Sequence, residues 1–211
     1  MLLCDIGNTT YNFLEINSNN SLDFNYKKSV NTFSPTDIKQ KVYYICVNEK
    51  VKNRLENLDN WIDLSLKINI DNYYDTMGID RIMACEAVKN GVIVDAGSAI
   101  TVDVVRDGVF SGGFIYPGVS AMNNTYKNIS PALSFEFNYS LNLDIIPKNS
   151  KDAISYGYLK LLYNEVSSYA MDIILTGGDA DRFLKIFPHA RVEKELIFNG
   201  MKKIIKKADI C

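Results

Sequence analysis

The sequence contains one histidine, His189, which follows Pro188 and has no companion residues in the pattern of a catalytic triad or a zinc site. Four cysteines, Cys4, Cys46, Cys85 and Cys211, stand without C-x-x-C spacing, so neither a metal knuckle nor a disulfide framework is indicated. A reducing, cytoplasmic setting is expected. No basic run occurs before the final MKKIIKKA, and 23 Lys plus Arg against 25 Asp plus Glu leave a net charge of -2. That balance argues against nucleic acid as the main partner. No apolar run approaches the ~20 residues that span a bilayer, and the opening MLLCDIGNTT has no positive leader and carries an acid at position 5. A soluble, unprocessed protein is expected, with no membrane partner. Also missing are G-x-x-x-x-G-K-[ST] and G-x-G-x-x-G, which removes the P-loop and Rossmann routes to a nucleotide.

What is present is an ordinary globular composition, 47% hydrophobic over 211 residues, enough for one large domain or two small ones. MLLCDI, YNFLEI, LDFNY and VYYICV read as strands, and VKNRLENL as a short helix. Ile79, Ile82, Met83 and Ala87 then recur at helical spacing. After that the series begins again: GVIVD, AITVDVV and VFSGGFI as strands, a helical region after YPG, a long helix through DAISYGYLKLLYNEVSSYA and a buried strand MDIIL. DADRFLKIF and KELIFNGMKKIIKKA close the chain as helices. The segments NSNNSLDFN and SFEFNYSLNLDIIPKNSK read as excursions. A strand, strand, strand, helix order used twice predicts a mixed-sheet α/β protein of two related halves, 1-89 and 90-211.

LLCDIGNTT laid over VIVDAGSAIT gives the repeat its chemistry. Each is an apolar run, an Asp, any residue, a Gly and then small polar residues, with Asp5 and Asp95 at equivalent places. The simpler account is a pair of β-hairpins with ordinary turn residues. Its appearance once per half favours a phosphate site instead, because glycine lets backbone N–H groups approach an anion, and Asn8, Thr9, Thr10, Ser98 and Thr101 add donors without bulk. A carboxylate at the strand end would repel phosphate unless a cation lies between them, so Asp5 and Asp95 read as cation holders. Two such hairpins facing across a cleft would grip a nucleotide's phosphates through its metal. A third element, DIILTGGDAD, ends a buried strand on Thr176, Gly177 and Gly178; it is either a backbone contact for a nucleotide or a plain turn capped by Asp179.

Asp80 and Arg81 follow Gly78 at the head of the amphipathic helix. They are either a cap and a surface ion pair, or an acid that accepts a proton from an alcohol beside a guanidinium that holds a carboxylate or phosphate. SGGFIYPG, residues 111 to 118, reads either as a tight structural turn or as a wall of the site, and structure with some site contact is expected.

In order and spacing, DIGNTT (5 to 10), GIDR (78 to 81), DAGSAITVD (95 to 103), GGFIYPG (112 to 118), NSKDAISYG (149 to 157) and LTGGDA (175 to 180) resemble the motifs of the type III pantothenate kinases, within the acetate kinase, sugar kinase, Hsc70 and actin superfamily. The resemblance implies two ribonuclease-H-like (actin-like ATPase) domains with mixed sheets and an interdomain cleft, a homodimer, and ATP-dependent phosphorylation of pantothenate, the first step towards coenzyme A. It implies that Asp5, Ile6, Gly7, Asn8, Thr9, Thr10, Tyr11 and Asn12 line the ATP phosphates and that Ser98 touches ATP. Asp95 would bind a potassium or ammonium ion, with Mg2+ accompanying ATP. Tyr74 (rather than Tyr73), Gly78, Ile79, Asp80, Arg81 and Ser150 would contact pantothenate, with Asp80 as the proton acceptor. Family members usually carry Thr where this chain has Ser98 and Ser150, a change that keeps the hydroxyl and loses a methyl. Asp103 lies in the motif with either a metal or a structural role. The alternatives are another small-molecule kinase of the superfamily and a non-catalytic relative that assists transcription.

Overall fold

The structure is a computed structural model that describes residues 1-16 and 24-210. The expected excursion NSNNSLDFN, the start of the strand LDFNY and Cys211 lie wholly or partly outside the described residues. In chain order the strands are β1 (Leu2–Ile6), β2 (Thr10–Glu15), β3 (Phe24–Ser29), β4 (Val42–Cys46), β5 (Trp61–Asp63), β6 (Gly91–Ala96), β7 (Ala99–Arg106), β8 (Val109–Pro117), β9 (Ile173–Thr176) and β10 (Arg191–Val192). The helices are α1 (Glu49–Leu55), α2 (Ile79–Ala87), α3 (Val119–Ile129), α4 (Ser150–Ser168), α5 (Ala180–Phe183) and α6 (Leu196–Ala208).

The chain divides into two compact units, Met1–Ala87 with Leu196–Cys211, and Val88–Glu195. Each is built on a five-stranded sheet, in the order β3-β2-β1-β4-β5 in the first and β10-β9-β6-β7-β8 in the second. Read from β8 inwards, the second order matches the first. In both, two antiparallel pairs come first, and two parallel pairs follow on the other side of the leading strand. The repeat read from the sequence is therefore a repeat of topology. One boundary differs from the expected 90-211 half, because α6 packs in the first unit. A stripe of apolar residues in a sequence says that one helix face is buried, and leaves open against what.

In the first unit the alternation of β1 sends its side chains to two cores. Leu2, Cys4 and Ile6 join Tyr11, Phe13, Tyr44 and Trp61 on one face. Leu3 joins Leu14, Tyr43 and Ile45 on the other, beneath Met83 of α2 and Met201, Ile204 and Ile205 of α6. Asn48 caps α1 by accepting a hydrogen bond from the Val51 N–H at 3.3 Å. Where α2 meets α6, Gly200 is in the contact: a Cβ there would overlap the Met83 carbonyl and stand 2.7 Å from its carbon. The helices approach backbone to backbone, so neither can yield by rotating a side chain. Gly200→Ala should cost about 1–3 kcal/mol by overpacking, lowering Tm by about 2–4 °C per kcal/mol in a chain of this size. Thermal unfolding checks this, and an unchanged Tm would mean the helices are free to separate.

In the second unit Val92, Val94, Ala96, Ile100, Val102 and Val104 face a core completed by α4 and α5. Asn149 caps α4 by accepting from the Asp152 N–H at 2.9 Å. Its side chain and that of Asn138 donate to the Asp152 carboxylate, which lowers the pKa of that group. The sequence reading missed β5 and β10, outer strands too short to show alternation. It also made the helix DADRFLKIF longer than the observed α5. Among the described residues no helix is long and apolar enough to cross a membrane.

Candidate active site

The first acidic turn is a β-hairpin. Gly7 N–H donates to Thr10 O at 2.9 Å to close it, and Asp5 stands opposite Asn12 in the β1–β2 register. Asn12 Nδ2 reaches the Asp5 carbonyl and Oδ2, each at 3.3 Å, so the carboxylate is oriented by its cross-strand neighbour. The tip is held from outside by Asn48, whose Nδ2 donates to Asn8 O at 3.3 Å. Asn8 and Thr9 are exposed. Asp5 lies on the same face of β1 as Leu3, the face that carries α2 and α6. Ile6 and Tyr11 point the other way into the core. Tyr11 is boxed by Phe33 and Trp61, and burial pushes its phenol up to about 12. Of the eight residues 5 to 12, these two can meet a phosphate only through their backbone.

The second acidic turn repeats the first with two more motifs packed against it. Asp95 is half-buried near the end of β6, opposite Thr101 on β7 and Thr176 on β9. Gly177 has φ +86°, and any Cβ there would overlap Asp95 Oδ1 and stand 2.6 Å from the Ala96 carbonyl. The Asp179 N–H donates to that same carbonyl at 2.9 Å. Gly118, at the head of α3, donates to Ser98 O at 3.2 Å, and its missing Cβ leaves room for the Gly97 and Ser98 carbonyls. The turns DAGS, YPG and TGGD thus converge on one point within the second unit. Only glycine at 118 and 177 lets them do so.

Asp179 makes no side-chain cap and pairs instead with Arg182 at 3.0 Å. The YPG turn has a structural task, support of the Ser98 hairpin. Asp103 is 1% exposed in the middle of β7, between Ile93 and Gly113 in register.

At the head of α2 the backbone turns through Met77, whose N–H donates to Tyr74 O at 2.9 Å, and Gly78 O accepts the Ile82 N–H at 3.1 Å to start the helix. Asp80 Oδ1 accepts the Arg81 N–H at 2.8 Å. A Cβ on Gly78 would stand 2.5 Å from that oxygen, which explains the glycine of GIDR. Arg81 is no surface residue, at 6% exposure. Its Nη1 donates to the Tyr74 hydroxyl, and its guanidinium lies over the Tyr74 ring, 5.7 Å from the centroid. Tyr73 is turned elsewhere and donates to Glu86 Oε1 at 3.1 Å. Ser150 is the exposed first residue of α4 in the second unit.

Comparison with known proteins decides the family. The family model for type III pantothenate kinases matches residues 37–171. A type III pantothenate kinase of Sulfurimonas denitrificans is 61% identical over 211 residues, covering 100% of both chains. This chain belongs to the type III pantothenate kinases. A solved Campylobacter jejuni structure, described as a conserved Baf family transcriptional activator, superposes with a TM-score of 0.87 at 42% identity over 100% of each chain. Component A of (R)-2-hydroxyglutaryl-CoA dehydratase from Acidaminococcus fermentans shares the fold alone, with a TM-score of 0.52 at 12% identity over 99% of this chain and 98% of that one. The two units are accordingly ribonuclease-H-like units of the actin-like ATPase class.

Asp95 and its cross-strand neighbour Thr101 offer oxygen donors of the kind a cation takes. Thr101 Oγ1, on the same sheet face as Asp95, is buried with no hydrogen-bond partner. Among the described residues no three His, Cys, Asp or Glu side chains gather in a form that could hold a metal.

Proposed function

We propose that this chain transfers the γ-phosphoryl group of ATP to the primary hydroxyl of pantothenate, the first step of coenzyme A biosynthesis. The observation that carries the reading is the Asp80–Arg81 step at the head of α2, with an oriented carboxylate and a buried guanidinium, in a chain of this family. Arg81 and Tyr74 would hold the acceptor with Gly78, Ile79 and Ser150, and a guanidinium suits the acceptor's carboxylate. Asp80, steadied through Oδ1 by the Arg81 N–H, would take the hydroxyl proton on Oδ2. As the hydroxyl oxygen bonds to the γ-phosphorus, the bond from that phosphorus to the β,γ-bridging oxygen breaks and ADP departs.

The Asp5–Asn12 turn and Ser98 would supply backbone and small-side-chain donors to the ATP phosphates. Asp95 and Thr101 would hold potassium or ammonium, and Asp5 would attend the Mg2+ that arrives with ATP. The bound cations supply positive charge against the phosphates. Asp95→Ala should abolish the rise in turnover on adding potassium, measured by titrating the salt against a sodium control. An intact response would move the cation elsewhere.

A homodimer is also proposed. It is supported by exposed apolar side chains in the second unit, among them Ile115 on the edge strand β8 and Ile145 and Ile146 in the loop that leads into α4. A cytoplasmic setting agrees with Cys4, Cys46 and Cys85 standing as thiols outside any disulfide. The function is tested by coupled ADP release over a panel of alcohols. Turnover with pantothenate above the other acceptors supports the reading. Preference for another alcohol would make the chain a different small-molecule kinase, and no turnover with any acceptor would favour a transcription accessory.

A further inference from the structure

We propose that Glu86 is a positioning residue for the acceptor site, fixing through Tyr73 the segment that sets Tyr74 against Arg81. The proposal rests on the reading of Tyr74 and Arg81 as pantothenate contacts. Glu86 lies near the C-terminal end of α2, its side chain only 15% exposed, and three groups converge on it. Lys207 Nζ on α6 meets Oε2 at 2.9 Å. Lys203 Nζ, one turn earlier on α6, donates to the Glu86 carbonyl at 2.5 Å, one of the last carbonyls of α2 that the helix itself leaves open. The remaining carboxylate oxygen, Oε1, accepts the Tyr73 hydroxyl at 3.1 Å.

One carboxylate therefore spans α6, α2 and the segment that leads into α2. Tyr73 is in extended backbone, with φ −129° and ψ 161°. Tyr74 follows directly in the chain, so its backbone is fixed wherever the Tyr73 side chain is anchored. Tying the Tyr73 hydroxyl to Glu86 limits where the adjacent Tyr74 can stand, and Tyr74 faces Arg81. The bond is charge-assisted and sheltered, the kind that holds a geometry. Lys207 stops the carboxylate from swinging away. Glu86 itself touches neither the acid nor the guanidinium of the reacting step, so its action is through the tyrosine pair.

Steady-state kinetics of the full chain with both substrates varied test this. Tyr73→Phe and Glu86→Ala should each raise KM for pantothenate by about 5- to 20-fold while kcat and KM for ATP stay within about twofold, as for a lost binding geometry. The double variant should be no worse than Glu86→Ala, and Glu86→Gln, whose amide oxygen accepts the same bond, should recover the larger part of the loss. An unmoved pantothenate KM in Tyr73→Phe, with normal wild-type turnover, overturns the proposal and leaves the kinase reading intact. Equal rises in both KM values, or a lower Tm with an unmoved KM, make Glu86 merely structural and also overturn it. Failure of the wild-type chain to turn over pantothenate is a separate outcome, which removes the functional reading and the proposal with it.

Discussion

Asp80→Asn is expected to lower kcat by ~10² to 10⁴ and to leave KM for pantothenate nearly unchanged, the pattern for loss of a positioned base. The asparagine keeps the size of the side chain and an oxygen that can accept the Arg81 N–H, so the head of α2 should remain as it is. What disappears is the basic oxygen. Phosphoryl transfer asks little covalent work of a protein and depends on alignment and charge, which is why some turnover should survive. A kcat within a fewfold of wild type would take Asp80 out of the role. A collapse of pantothenate binding instead would assign it to recognition.

Gly177→Ala should be the most damaging single methyl in the second unit. Two costs add: about 1–2 kcal/mol for placing an L-residue in the left-handed region at φ +86°, and about 1–3 kcal/mol for overlap with Asp95 Oδ1 and the Ala96 carbonyl. The new methyl can be relieved only by moving the Asp95 carboxylate or the β6 end, so potassium activation should weaken together with stability. The neighbouring Gly178 has open space where its Cβ would be. Gly178→Ala should keep stability within about 0.5 kcal/mol. Thermal unfolding of the two variants side by side gives the comparison, and equal losses would contradict the assigned packing.

These two predictions also mark what the sequence could and could not reveal. The acid–glycine turns were legible because everything they need is local: an apolar run, a carboxylate where the strand ends and a residue without a side chain where the backbone closes. Their doubling carried over directly into two sheets of one topology. The packing of Gly118 on Ser98 and of Gly177 on Asp95 was not legible, since it joins turns distant in the chain. Arg81 was left open between two readings for a related reason. A guanidinium beside a helix-starting acid reads as solvated, and only the tertiary position of Tyr74 shows it buried. Glu86 passed unnoticed because a single carboxylate on an amphipathic helix is ordinary until Tyr73, Lys203 and Lys207 are seen to meet on it. The C-terminal helix was found in the sequence and assigned to the wrong half. Its glycine, Gly200, was the only local hint of so close a neighbour.

The measurement that bears most directly on the whole account is the mass of the product formed from ATP and pantothenate by the wild-type chain in the presence of potassium and magnesium. Pantothenate heavier by one phosphoryl group on its primary hydroxyl, with an equal amount of ADP, is the predicted result. Pantothenate recovered unmodified, or ATP consumed without that product, would contradict it.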